Sequence, residues 1–416
     1  MNGRGRSLDH GAALRRRRTA LHVLMLATGI GMASWVARTP AVRDALDITT
    51  GGMGLVLFGL SCGSMAGVLV SGGLVRRYGA KPVICAGAAF LVAGPAAIAA
   101  GSTAASPPAV FAALALFGAG MGLTEIAFNI EGAALEGEMG RPVLPVLHGC
   151  FSLGTVLGAL GGMALTAVAF PVGLHLSAVA LVVACGSLWA VRHLPAGTGR
   201  APAGGRRRGE GLRVQLEVWR DGRLVLIGLV VLAMAFAEGS ANDWLPLLMV
   251  DGHGVSATAG SLTFTAFAAA MTAGRFAGGP LLARFGRVAV VRASALTASV
   301  GLALVVFSPV PLVAGAAVVL WGLGTSLGFP VAISAAGDGG GEEAARVGAV
   351  ATTGYFAFLV GPPSLGFLAD HVGLRLTMLV ILAMLLAASF LSRALRPAAR
   401  AGAAATGGRV DEECAR

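Results

Sequence analysis

Acidic and amide side chains interrupt the apolar stretches of this chain at spacings that would bring them together in pairs on a helix. Glu125 and Asn129 are four residues apart, as are Glu238 and Asn242, and this spacing puts each pair on one face of a helix. An ionised carboxylate at the centre of a membrane helix costs about 2.5–3.5 kcal/mol, so such a residue usually has a partner or a task. Because a carboxyl group in a low-dielectric cavity favours its protonated form, Glu125 and Glu238 are candidates for proton coupling.

His148 is the third candidate for moving protons, because histidine titrates near neutral pH. Plainer interpretations stay open. A buried histidine often only bonds a backbone carbonyl, and Glu125 would have a purely structural role if it pairs with His148 or with an arginine. Glu131 and Glu136 are expected to be ordinary charges near the membrane surface.

A second set of residues consists of candidates to line a substrate cavity: Trp35, Asn129, Asn242, Asp243 and Trp244. The tryptophans would close the cavity or stack on a sugar ring, although anchoring at the membrane interface explains them as well. Asp243 would act at a gate, with an ordinary place at the outer membrane surface as the alternative. Arg275 falls inside an apolar stretch, where structural pairing is the simpler explanation.

The sequence contains no motif of a soluble enzyme site. There is no phosphate-binding P-loop, no nucleophile–base pair and no metal-ligand spacing, so we expect neither an enzyme nor a bound cofactor or metal. Four of the five cysteines lie in apolar stretches, which is typical of small packing residues.

The composition requires an apolar solvent. Of the 416 residues, 56% are hydrophobic and 12% are charged, against about 25% charged residues in a soluble domain. A net charge of +11 would suggest nucleic acid on a soluble fold, but the basic residues form short runs between apolar segments. We therefore expect a lipid bilayer as the partner and exclude nucleic acid.

Apolar segments long enough to cross a bilayer core of about 30 Å recur along the whole chain. They are predicted at 19–37, 52–74, 81–101, 107–130, 143–168, 171–191, 224–248, 256–282, 288–307, 311–333, 347–369 and 374–394. This pattern predicts an all-α membrane protein with twelve transmembrane helices in two six-helix bundles. The parts of the chain would be a basic tail (1–18), a first bundle (19–191), a linker (192–223), a second bundle (224–394) and a second tail (395–416).

The positions of the basic residues predict the orientation. Arg38, Arg43 and Arg375 fall on one side and Arg275 falls inside a span, whereas the rest of the 31 Lys and Arg residues fall on the side that holds both termini. Because cytoplasmic loops carry the excess of Lys and Arg, both termini should be cytoplasmic in a multi-pass protein of the cell (inner or plasma) membrane.

An internal repeat is the strongest sign of organisation. Residues 72–81 (GGLVRRYGAK) and 279–287 (GPLLARFGR) each lie between two predicted spans, and a third copy is present at 366–375 (GFLADHVGLR). Transporters are often built from such duplicated units, so the two bundles should be pseudo-symmetric. The residues expected to form gating loops are Gly72, Arg76, Arg77, Gly79, Gly279, Arg284 and Gly286.

The pattern Gly-x-Leu-x-x-Arg-x-Gly in these loops resembles the signature loop of the major facilitator superfamily. Stretches 34–46, 125–136, 141–154 and 361–370 are similar to its YbjJ-like branch, and the resemblance covers residues 20–395. The Glu-x-x-x-Asn pattern of Glu125 and Asn129 also resembles fucose-permease-like sugar–proton symporters, which implies that this acid carries a proton. The resemblance as a whole implies a twelve-helix transporter that works by alternating access.

Two departures from the family pattern bear on this expectation. The loop usually carries an acidic residue that helps to hold the cytoplasmic gate, but this chain has Arg76 and Ala283 there and keeps an acid only in the third copy, at Asp370. The fourth predicted span also lacks the buried arginine that is typical of drug–proton antiporters.

Three functions therefore stay open. The first is proton-coupled uptake of a small polar solute, such as a sugar, through Glu125, and the missing arginine favours it. The second is proton-driven efflux of drug-like or metabolic compounds, and the third is a membrane receptor or scaffold without transport. Because one chain contains both halves, we expect a monomer; the substrate and the direction of transport do not follow from the sequence.

Overall fold

The computed structural model describes residues 3–140, 143–200, 217–339 and 343–396, and this described part is helical almost throughout. The prediction of an all-α protein is confirmed. Its α-helices are α1 (Gly3–Val36), α2 (Thr39–Leu46), α3 (Thr50–Tyr78), α4 (Ala80–Thr103), α5 (Pro107–Met139), α6 (Leu144–Ala167), α7 (Val172–Val191), α8 (Gly222–His253), α9 (Ala257–Phe307), α10 (Pro311–Thr325), α11 (Gly328–Ala336) and α12 (Glu343–Leu391). Short 3₁₀ turns follow α11 and α12.

Ten helical stretches in the described residues are long and apolar enough to cross a membrane. Two of them, Ala257–Phe307 and Ala345–Leu395, are 51 residues long, and each combines two of the predicted spans. At 1.5 Å per residue such a stretch would measure about 76 Å if it were straight, far more than a bilayer core.

Both long helices contain a glycine with non-helical backbone angles. Gly286 has φ 74° and ψ 166° and Gly373 has φ 79° and ψ 156°, while Gly79, between α3 and α4, has φ 89° and ψ 166°. Only glycine adopts this region at low cost. The three copies of the repeat therefore share one backbone conformation at their signature glycine, which agrees with the duplication that the sequence predicts.

Several helix boundaries differ from the predicted spans. Helix α1 begins at Gly3, well inside the predicted basic tail, and the short helix α2 was not predicted. The span predicted at 311–333 is divided into α10 and α11 at Ser326 and Leu327. Pro330 contributes to this division, because proline has no N–H to donate to the carbonyl group of Ser326.

The helices pack as an N-terminal group (α1–α7) and a C-terminal group (α8–α12). In the N-terminal group α3 and α4 pack on α5, and α1 packs on α6 and α7; in the C-terminal group α9 packs on α10 and α8 on α12. The groups meet mainly where α3 contacts α12 and where α6 contacts α9. Residues 201–216 of the predicted linker and 397–416 of the predicted C-terminal tail lie outside the described residues.

Candidate functional site

Polar contacts join the two groups at one end of the bundle, here called the Asp370 end. Asp370 accepts the backbone N–H of Gly51 at 2.8 Å, and the hydroxyl of Thr49 donates to Asp370 at 3.1 Å. Arg43 forms an ion pair with Asp251 across the same boundary. In addition, the buried Ser261 hydroxyl donates to the carbonyl oxygen of Ala37 at 2.9 Å.

Beneath these contacts the helices α3 and α12 touch backbone to backbone. A methyl group added at Gly54 would lie 2.7 Å from the carbonyl oxygen of Pro362 and 3.2 Å from the Cα of Gly366. The indole ring of Trp244 lies against both glycines. Because no larger side chain fits there, the two groups are closed against each other at this end.

The opposite end carries the predicted gating loops and is called the Gly79 end. An added methyl group would meet no heavy atom within 4 Å at Gly72, Gly279 or Gly286, whereas at Gly79 it would lie 3.0 Å from the backbone of Gly197. Three basic residues of these loops are exposed, and no ion pair is described for any of them: Arg76, Arg77 and Arg284. Hence no acid of the described chain pairs with these three arginines, as the missing loop acids predict.

Glu125 lies in the middle of α5 and remains accessible, although the residues around it on that helix are largely buried. The phenol group of Tyr355 on α12 lies beside its carboxyl group. This contact crosses from the N-terminal to the C-terminal group, so Glu125 faces the space between them. Among the described residues, no ion pair or hydrogen bond joins Glu125 to His148 or to an arginine.

His148 pairs instead with Asn129, the residue one turn after Glu125. Its Nε2 lies 3.2 Å from the Asn129 Oδ1. His148 is exposed to the same space. The alternative in which His148 only bonds a backbone carbonyl is therefore wrong.

Glu238 on α8 is neutralised within its own group. The Arg275 Nη2 donates to the Glu238 Oε1 at 2.8 Å, and the Arg275 Nη1 lies 3.4 Å from the Ser152 hydroxyl on α6 of the other group. Structural pairing, the simpler explanation for Arg275, is thus what the structure shows. The guanidinium group nevertheless remains about one-third exposed (32%) and borders the boundary between the groups.

The remaining cavity candidates differ in burial. Asn242 and Asp243 are half-buried, and no hydrogen bond or ion pair is described for either. Trp35 is 1% exposed and Trp244 is 0% exposed. Side chains that are buried this completely inside the helix bundle do not agree with the alternative in which both tryptophans anchor the protein at the membrane interface.

Three features of the structure were not anticipated from the sequence. Tyr355 lies beside Glu125, but the residues near Tyr355 in the sequence do not indicate this position. Glu131 was expected to be an ordinary surface charge, but it is 0% exposed and pairs with Arg17 at 2.6 Å. Glu136, expected to be similar, accepts the N–H groups of Val143 and Leu144 at the start of α6. No cluster of three metal-ligating side chains occurs in the described residues.

The comparison with known proteins decides the family. The sequence profile of the Major Facilitator Superfamily matches residues 144–355 and 227–412. The chain belongs to this superfamily. An uncharacterized transporter of Sinorhizobium fredii is 32% identical over 360 residues, covering 86% of this chain and 92% of that protein. An uncharacterized MFS-type transporter of Yersinia pestis is 28% identical over 369 residues, covering 88% and 92%.

Solved structures of superfamily transporters share the fold. A mutant of the nucleoside transporter NupG superimposes with a TM-score of 0.76 at 14% identity, covering 91% of this chain and 100% of that one. A mutant of the E. coli fucose:proton symporter FucP gives a TM-score of 0.64 at 17% identity, covering 91% and 98%. The chain is accordingly a multi-pass membrane protein of a transporter family and not an enzyme, as predicted; its place in the YbjJ-like branch stays a prediction.

Proposed function

We propose that the chain is a secondary transporter that moves a small polar solute together with protons by alternating access, with Glu125 as the proton carrier. The observation that carries this proposal is the position of Glu125. It is an accessible carboxyl group at mid-helix, at the boundary of the two groups; the neutral phenol of Tyr355 lies beside it, and no ion pair with a cation is described for it. Such a carboxyl group exchanges a proton more readily than one held by arginine.

We infer further that the protein crosses the membrane twelve times, in two halves of six helices. If the breaks at Gly286 and Gly373 separate two crossings each, the ten membrane-length stretches become twelve. The excess of basic residues then supports a cytoplasmic position for the Gly79 end and for both termini. The closed Asp370 end would face outward, and the space that contains Glu125 would open to the cytoplasm.

The side chains around this space suit a solute that forms hydrogen bonds. Donors and acceptors from both groups are provided by Asn129, His148, Arg275 and Tyr355. A neutral, hydroxylated compound can bind such groups without the cost of burying an unpaired charge. The fold of the fucose:proton symporter, which this chain shares, agrees with proton-coupled uptake.

Proton movement in proteoliposomes tests the proposal. Purified wild type is challenged with sugars, polyols, nucleosides and cationic drugs while the internal pH is followed. Glu125→Gln should abolish solute-dependent proton movement, whereas Glu138→Gln, an exposed acid on the same helix, should leave it intact. Loss of coupling in Glu238→Gln but not in Glu125→Gln would transfer the role to Glu238. Solute flux without protons in wild type would refute the coupling.

A further inference from the structure

The ion pair of Glu238 on α8 and Arg275 on α9 leaves polar atoms of both side chains free. The Arg275 Nη2 donates to the Glu238 Oε1 at 2.8 Å, and the Arg275 Nη1 lies 3.4 Å from the Ser152 hydroxyl, which is longer than most hydrogen bonds. No described residue bonds the Glu238 Oε2 or the Arg275 Nε. Because a guanidinium group has five N–H donors and a carboxylate accepts at both oxygens, the pair retains unused donors and an unused acceptor side by side.

This pair is accessible, unlike the ion pair inside the N-terminal group. The side chains of Arg275 and Glu238 are 32% and 15% exposed, whereas those of Arg17 and Glu131 are 7% and 0% exposed. Since Arg275 also approaches α6 of the other group, this accessible surface lies at the boundary between the groups. A solute in the space between the groups can therefore reach both members of the pair.

The pair lies at the depth of the proposed proton carrier. Gly239, the residue after Glu238, packs on the ring of Phe358 of α12. Phe358 follows Tyr355 by three residues, and the phenol of Tyr355 lies beside Glu125. A solute that contacts Glu238 is thus close to the place where the proton is proposed to bind.

The contacts of α6 join the same two places from the other side. Ser152, which Arg275 approaches, is one turn after His148, so the two residues share a face of α6. The His148 Nε2 lies 3.2 Å from the Asn129 Oδ1, and Asn129 is one turn after Glu125 on α5. The pair and the proton carrier therefore border one space from opposite groups.

The free atoms of the pair select a neutral ligand that both donates and accepts hydrogen bonds. An anion would be repelled by Glu238, and a cation would be repelled by Arg275. A neutral ligand avoids both costs. Two adjacent hydroxyl groups fit best, because one can accept an N–H of the guanidinium group while the other donates to the free carboxylate oxygen.

We propose that Glu238 and Arg275 form the subsite that binds a vicinal diol, two hydroxyl groups on neighbouring carbons, of the transported solute. One hydroxyl accepts from Arg275 and its neighbour donates to Glu238. The inference rests on the proposed transport of a hydroxylated solute, and it narrows the class to sugars, cyclic polyols and ribonucleosides. Glu238 is then a specificity-determining residue and not a proton carrier.

Equilibrium binding tests the subsite without any transport. The full-length chain in nanodiscs is titrated with hexoses, pentoses, inositols and ribonucleosides, and binding is measured by isothermal titration calorimetry. Each compound that binds is then replaced by its monodeoxy analogues, which lack one hydroxyl group at a time. Removal of either hydroxyl of one adjacent pair should weaken binding about 10- to 100-fold, as expected for hydrogen bonds to charged groups.

Variants of the pair should remove this selectivity. In Glu238→Gln the parent compound should bind about 10-fold more weakly, because a hydrogen bond to a neutral amide is weaker than one to a carboxylate. The analogue that lacks the donating hydroxyl should bind Glu238→Gln and wild type equally. Arg275→Lys should act in the same way on the accepting hydroxyl. A purely structural role would weaken the binding of parent and analogue alike, so the ratio of their affinities distinguishes the two roles.

Asp338→Asn is the matched control, because Asp338 forms an ion pair with Arg287 in the same helix group at similar exposure. It should leave the affinity ratio unchanged. If Glu238→Gln does not fold, Glu238→Asp takes its place, since it keeps the charge but withdraws the carboxylate from the diol. It should lower the affinity ratio as well.

The outcomes separate this inference from the proposed function. An affinity ratio that stays at the wild-type value in the variants of Glu238 and Arg275 would overturn the subsite, and so would a wild-type protein that binds no compound of the panel. The measurement of proton movement with Glu125→Gln would still decide the proposed function. Selective binding of a diol without proton movement would support the subsite and reject the proton coupling.

Discussion

Asp370 of α12 caps the first turn of α3 from the other helix group, since it accepts the backbone N–H of Gly51 at 2.8 Å. The helix also has its own N-cap, because the Thr49 hydroxyl accepts the N–H of Gly52. A carboxylate at a helix N-terminus satisfies free N–H groups and interacts favourably with the helix dipole. The cap formed by Asp370 exists only while the two groups are together at the Asp370 end.

Removal of this cap should open the Asp370 end. Asp370→Ala is expected to cost the closed arrangement about 0.5–2 kcal/mol, as for other helix caps, or roughly a 2- to 30-fold change in its population. Distances between spin labels at Ala45 and Val372 report the opening. Asp44→Ala is the control, because the ion pair described for the exposed Asp44 is with its neighbour Arg43 on the same helix. Equal distances in wild type and Asp370→Ala would contradict the prediction.

The buried pair of Arg17 and Glu131 should matter for stability. Their side chains are 7% and 0% exposed, and loss of one partner of such a pair leaves a buried charge that costs about 3–5 kcal/mol. Arg17→Met should therefore strongly lower the thermal stability of the protein in detergent. The double variant Arg17→Met, Glu131→Leu should recover most of the loss. A double variant no more stable than Arg17→Met alone would speak against this explanation.

The backbone conformation at Gly286 should be sensitive to any side chain. No heavy atom lies within 4 Å of an added methyl group, so the cost of Gly286→Ala comes from the backbone alone and is expected to be about 1–3 kcal/mol. Gly279→Ala is the matched control, because Gly279 has equal space and helical angles. It should be neutral or stabilise the protein by up to about 1 kcal/mol. Thermal unfolding of both variants and of wild type measures these changes in stability.

Asp221 gives a prediction for the pH dependence of stability. Burial alone would raise the pKa of Asp221, but hydrogen bonds from Arg346 and from the N–H of Arg223 outweigh it and hold the pKa below its ordinary value. Because the pKa is lowered in the folded state, the stabilisation is complete above the unfolded value of about 3.9 and is lost as the pH falls through the folded value.

The corresponding variant is Asp221→Asn, which keeps a capping residue at the start of α8 but removes the charge. At pH 7 we expect a loss below about 1 kcal/mol, since the Asp221 side chain is 37% exposed and solvent screens the pair with Arg346. The difference from wild type should shrink below pH 4. Thermal unfolding at both pH values measures it, with the exposed Asp47→Asn as control. A difference that grows in acid would be inconsistent with the lowered pKa.

Much of the fold follows from apolar length and charge, which act locally. The helix α7, predicted at 171–191, is found at Val172–Val191. The repeat also predicted that Gly79 and Gly286 are equivalent, and their backbone angles agree. In contrast, the length of an apolar stretch does not show how far a helix extends beyond the membrane. The start of α1 at Gly3 and the end of α5 at Met139 were therefore missed.

The site was less predictable, because its partners are distant in the chain. Glu125 and Asn129 were identified by their cost in a membrane helix, but the side chain beside Glu125, Tyr355, is 230 positions away on α12. A tyrosine is not costly in a membrane helix, so nothing local marks Tyr355. The same holds for Glu131, whose burial depends on an arginine of α1 that seemed to belong to a surface tail.

The backbone crossing of Gly54 and Gly366 also restricts how the protein can move. Neither α3 nor α12 has a side chain of its own at this contact that could rearrange to let one helix slide along the other, whereas a rotation would leave the contact in place. The helices would then rotate about this crossing near the Asp370 end, and their parts beyond it are about as long as the bilayer is thick. A rotation too small to break the glycine contact would still displace the far ends of both helices several times further than the residues at the crossing.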